Sequence, residues 1–126
     1  MLVASLGTPY EINTAGTVLF IEDIATKSFQ VDRMLMHLKL AGKLREVKGI
    51  VFGEMADCGD LALLQETIRS VLKDFSGPVG FGLRSGHLSD YRNPGVTLPI
   101  GVDVELEVRA GVMSLRRAII GASASE

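Results

Sequence analysis

In residues 17–22, TVLFIE, every residue before Glu22 is apolar or β-branched, at odd and even positions alike. A strand wetted on one face alternates. A run without alternation is a strand buried on both faces, as in a parallel sheet covered by helices. The same pattern returns at 47–55, VKGIVFGEM, and more briefly at 78–83, PVGFGL. Two helical patterns separate the three runs. In 28–44, Phe29, Met34, Leu35, Leu38 and Leu44 recur near helical spacing. Ser28 is placed to cap that helix, and Lys39, Lys43 and Arg45 lie toward its C-terminal end, where the dipole favours cations. In 61–75, Leu61, Leu64, Ile68, Val71, Leu72 and Phe75 make one apolar face, with Asp60 as the cap and Gly77–Pro78 as the stop. Strand, helix, strand, helix, strand predicts parallel strands joined by right-handed crossovers, with 17–22 expected as a central strand.

The second half changes period. Residues 102–111 alternate Val102, Val104, Leu106 and Val108 against Asp103, Glu105, Glu107 and Arg109, which predicts a strand with one wet face. Residues 112–118, VMSLRRA, can return as its hairpin partner. The expected fold class is α/β, a single domain with a mixed β-sheet and flanking helices. Residues 121–126, GASASE, read as a disordered tail, and the domain is expected over 1–120.

Composition narrows the function classes. With 126 residues the chain holds one domain with a real core, and 47% apolar against 22% charged residues is a globular balance. A net charge of −2 gives no basic footprint for nucleic acid or anionic lipid. No apolar stretch reaches the roughly 18 residues of a membrane helix. Cys58 is alone, which excludes an internal disulfide and fits a reducing, cytoplasmic location. The start, MLVASLGTPYE, lacks a basic leader and begins on apolar residues as if cut inside an element.

Chemistry in a parallel α/β sheet gathers beyond the carboxyl ends of its strands. Glu22 and Asp23 end the first run, and His87 follows the third in the glycine-flanked loop SGHL. If those strands are neighbours, a carboxylate can hold a histidine Nδ1–H, which fixes the tautomer and stabilises the imidazolium. The bland alternative is a turn acid and a solvated histidine. His37, inside the first helix, reads as a surface or partly packed residue. Ser85 is two residues before His87, so a local Ser85–His87–Glu22 set is conceivable, although no G-x-S-x-G elbow is present. Cys58 reads as a buried structural thiol. No His/Cys spacing suits a metal and no phosphate loop occurs, so neither metal nor cofactor is expected.

Five segments taken together carry a family likeness: GTVLFIEDI (16–24), VDRMLMHLKLAGKL (31–44), VKGIVFGEMADC (47–58), GPVGFGLRSGHLSD (77–90) and NPGVTLPIGVDVELEV (93–108). In this order they resemble the C-terminal domain of the LD-carboxypeptidases, serine peptidases that include the microcin C immunity proteins. The resemblance spans about residues 5 to 110. It implies a swivelling β/β/α-like domain and a Ser–His–Glu triad divided between two domains. Glu22 and His87 would come from this domain, and the serine from an N-terminal α/β domain. Asp23 would be a turn or cap residue, and Asp32 a helix-dipole residue.

The chain departs from the family in two respects. The family's GTPY-like segment lies at 7–10, almost at the start, so the nucleophile-bearing domain is expected as a partner rather than in this chain. After the paired acids, Thr26 and Ser28 stand where the family often has another acid and a proline. Three readings stand, the first two implied by the resemblance and the third of another class. The first is half of a carboxypeptidase that releases a terminal D-amino acid from a murein tetrapeptide in peptidoglycan recycling, inactive alone. The second is a microcin-C-immunity-type peptidase acting on peptidyl or aminoacyl nucleotides, for which Phe81 and Tyr91 are the aromatics near His87. The third is a non-catalytic binding or scaffold domain. Family members tend to form homodimers, and Met1, Leu2 and Leu6 are expected to expose apolar surface toward the absent domain.

Overall fold

In a computed structural model, residues 2–88, 92, 94–110 and 112–117 are described. A short 3-10 turn at Leu2–Ser5 leads to β1 (Val18–Ile24), α1 (Ser28–Leu40), β2 (Gly49–Ala56), α2 (Leu61–Val71), β3 (Val79–Phe81), β4 (Val104–Arg109) and β5 (Val112–Arg117). The expected parallel and antiparallel pairings both occur, each in its own sheet. β1, β2 and β3 form a parallel sheet in that order, and β4 and β5 form a separate hairpin.

Both helices cover one face of the parallel sheet and pack on each other. Leu19, Ile50 and Phe52 meet Val31, Leu35 and Leu38 of α1 and Leu64, Ile68 and Val71 of α2 in one buried cluster. Phe52 also stacks on Phe81 of β3, ring centres 6.0 Å apart. The hairpin closes on the opposite face. A Cβ on Gly49 would stand 2.7 Å from Leu106 Cδ2, and one on Gly80 would run into Met113. These two glycines let the hairpin's apolar side chains reach the sheet floor.

Three details differ from the pattern reading. β2, not β1, is the central strand among the described residues: Ile50 and Phe52 are fully buried, whereas most of β1 is half-buried. The continuous apolar run of β1 instead fits an edge strand with apolar residues around it, since Leu2 and Leu6 pack against the core from the N-terminal segment. Phe29 and Leu61 point outward, at 68% and 54% exposure, because the helices turn Val31 and Leu64 inward. Helix α1 begins after Lys27, whose N–H donates to Gln30 Oε1 at 2.9 Å, so Ser28 is the first helical residue and not the cap. Asp60 does cap α2, accepting from Leu63 N at 2.7 Å. The expected tail at 121–126, Met1 and Tyr91 lie outside the described residues.

Candidate active site

Glu22 sits where β1 and β2 slip register. Ile21 pairs with Phe52, but Asp23 pairs with Met55, so β2 advances three residues while β1 advances two. A bulge of this kind bends a strand and re-aims its side chains. Gly53 and Glu54 fall opposite Glu22 in the slipped stretch. A Cβ on Gly53 would be 2.7 Å from both Phe20 Cζ and the Ser85 carbonyl oxygen, so the missing side chain lets the loop after β3 come down onto the sheet. That loop is further tied by Gly82 N and Leu83 N, which both donate to Phe52 O at 3.0 and 3.1 Å.

The loop delivers His87 to Glu22. His87 Nδ1 lies 2.7 Å from Glu22 Oε1, and His87 N donates to the same oxygen at 3.2 Å. Gly86 makes this approach possible. Its φ of +143° is poor for an L side chain, and a Cβ there would stand 2.5 Å from Glu22 Oε1. A carboxylate at this distance assigns the proton to Nδ1 and leaves Nε2 as the nitrogen that can accept one. Glu22 is mostly buried, at 13% exposure, while the His87 ring is 54% exposed. The hydrogen bond to Glu22, then the charge of Glu22, raise the His87 pKa above the ordinary 6.5, with smaller contributions from Asp23 and Glu54.

The pair stands on a groove of about 490 Å³ along β1 and α1, lined by Phe20, Met34, Leu35 and Met55 among others. Two strands end here in left-handed non-glycine residues, Ala25 at φ 57° and Asp57 at φ 52°. Such backbone strain concentrates at functional sites.

The other candidates fall outside the pair. Asp23 Oδ1 accepts its neighbour's amide, Ile24 N, at 2.9 Å, as a turn acid does. Asp32 is exposed in α1. His37 is exposed on α1 and does not line the groove. Cys58 is buried at 2% exposure, its thiol against Ala56 O at 3.3 Å. Ser85 meets the sheet through its carbonyl, which accepts from Glu54 N at 3.4 Å. No hydrogen bond joins its hydroxyl to His87 among the described residues. Phe81 lies in the helix-side core against Phe52, and Phe20 is the aromatic that lines the groove beside His87. Pattern reading missed Phe20 and Glu54. Glu54 had a signal: it is an acid near the carboxyl end of the second strand, as Glu22 is of the first.

Residues 1–106 match the family model described as the LD-carboxypeptidase C-terminal domain. The chain belongs to this family. It is 34% identical to "Probable murein peptide carboxypeptidase" of Bacillus subtilis (strain 168), an alignment spanning the whole chain and 38% of that protein. It superposes on a muramoyltetrapeptide carboxypeptidase from Oxalobacter formigenes with a TM-score of 0.78 at 30% identity, over 94% of this chain and 42% of that one. The microcin C7 self-immunity protein MccF matches with a TM-score of 0.57 at 28% identity, over 67% of this chain and 26% of that one. The chain therefore spans about two fifths or less of the length of these relatives. No helix among the described residues is long and apolar enough to cross a membrane.

Proposed function

We propose that this domain supplies the histidine and glutamate of a serine carboxypeptidase whose nucleophile resides in a separate N-terminal domain. The observation that carries the reading is the 2.7 Å pairing of Glu22 and His87 at the groove mouth. In the proposed reaction His87 Nε2 takes the hydroxyl proton as the serine oxygen attacks the scissile carbonyl. The imidazolium is held by Glu22, and then protonates the departing amine. Water attacks the acyl-enzyme next, giving a proton to His87, which passes it to the serine oxygen as the serine–acyl bond breaks and the acid product leaves. The names of the Bacillus and Oxalobacter relatives support a murein peptide as substrate, with a terminal D-amino acid as the released amine. The proposed setting of this reaction is peptidoglycan recycling in the cytoplasm. The domain alone, without a serine elbow, is expected to be inactive.

The test is hydrolysis of a murein tetrapeptide by the protein that joins this domain to a serine-bearing one. Replacing His87 by Ala should lower kcat by about 10²- to 10⁴-fold. Unchanged turnover would remove His87 from the mechanism. Turnover by the isolated 126-residue chain would return Ser85 as nucleophile. The likeness to the microcin immunity protein supports a second reading, in which Phe20 stacks on a nucleobase. Faster cleavage of an aminoacyl nucleotide than of the tetrapeptide by the same protein would favour it.

A further inference from the structure

His87 is exposed and sits in a loop with glycine at 82 and 86. One hydrogen-bonded carboxylate does not by itself restrain such a loop. Two backbone amides of the loop are held by two different acids. His87 N donates to Glu22 Oε1 at 3.2 Å, and the next amide, Leu88 N, donates to Glu54 Oε2, also at 3.2 Å. Glu54 reaches the other end of the loop as well, since its own N–H donates to Ser85 O at 3.4 Å. It occupies the register slip beside Gly53, so the bulge that aims Glu22 also aims Glu54.

We infer that Glu54 is a positioning residue for His87, clamping the 85–88 loop at both ends so that the imidazole stays on Glu22 and facing the groove. Hydrogen bonds from amides to a charged acceptor are the stronger kind, and two on successive residues fix the peptide plane between them. The inference rests on the proposed role of His87 for its catalytic consequence, but not for its geometry. The acids facing His87 are Glu22 and Asp23 from β1 and Glu54 from β2, so changing Glu54 perturbs the imidazole by charge as well as by position.

Two variants separate position from charge. Glu54→Gln keeps a side-chain oxygen for Leu88 N and loses the charge, whereas Glu54→Ala loses both. In the 126-residue chain, NMR should show Leu88 amide exchange about tenfold faster in Glu54→Ala and nearly unchanged in Glu54→Gln. The His87 titration should move down in both, and the Nδ1 proton signal should broaden only in Glu54→Ala. In the serine-bearing protein, Glu54→Ala should lower kcat about tenfold at unchanged KM, with Glu54→Gln restoring most of it. Leu88 protection and an Nδ1 signal indifferent to Glu54→Ala would overturn the inference, whatever the substrate proves to be. Intact NMR effects with no hydrolysis by the unaltered protein would leave the clamp standing and sink the peptidase reading.

Discussion

At the residue scale, the site depends on charge held close to an exposed ring. Glu22→Gln keeps an oxygen that can accept from Nδ1 but removes the charge that favours imidazolium. The His87 pKa should then fall back toward 6.5, read directly by NMR titration, and kcat should drop by about 10²-fold or more. A titration that does not move would show that Glu22 is not the group raising it. The pH dependence has a definite sign. A histidine whose folded pKa is raised stabilises the fold fully below its unfolded value near 6.5, and loses that contribution as pH climbs through the folded value. In the proposed reaction His87 acts as the base and must be neutral, so kcat/KM should rise with pH through a midpoint above 6.5. Comparing urea midpoints of the unaltered chain and a His87→Asn variant across that window measures the first effect. A difference that grows with pH would contradict it. Glu22 and His87 were legible as candidates from residue type and the carboxyl-end rule, and the structure brings them to 2.7 Å. The choice of Glu22 over Asp23 was not, because both acids lie within one register step and only the slip decides which one turns toward the loop.

At the element scale, the β1–β2 bulge and the loop after β3 form a single device. Gly86 is its tightest point. In Gly86→Ala the new Cβ would meet Glu22 Oε1 at 2.5 Å in a backbone conformation that already disfavours alanine. The variant should lose about 1–3 kcal/mol of stability and also the Nδ1–H hydrogen bond, its His87 titrating near the ordinary value. Lost stability with an unshifted His87 would mean the loop relaxes around the methyl. The helices were the most legible elements because their pattern is local: Leu64, Ile68 and Val71 recur at helical spacing and are all buried. The same periodicity misjudged Phe29 and Leu61. Both lie in a first turn, where the helix has barely begun to cover the sheet.

At the scale of the whole molecule, stability comes from one core between the parallel sheet and its two helices. Leu64, at 1% exposure, is central to it. Leu64→Ala should cost about 2–5 kcal/mol, visible as a lower midpoint in chemical denaturation, while the Glu22–His87 bond persists in the folded fraction. The chain spans about two fifths of the length of the relatives it matches, and in the proposed function the nucleophile comes from a separate domain. Leu2 and Leu6, expected as open apolar surface, are instead half-buried against the core. The groove between β1 and α1 is accordingly lined in part by the N-terminal segment itself.

The order of strands and helices, their approximate limits and the acids at the carboxyl end of β1 followed from the sequence by itself. Each depends on side-chain periodicity over a few neighbouring residues. The tertiary structure decided which strand is central, that the antiparallel hairpin forms a second sheet closing on the parallel one, and that Glu54 meets the amide of Leu88 beside His87. These depend on pairings between residues tens of positions apart. A one-residue slip between β1 and β2 leaves no trace in local pattern, yet it turns Glu22 and Glu54 toward the same loop.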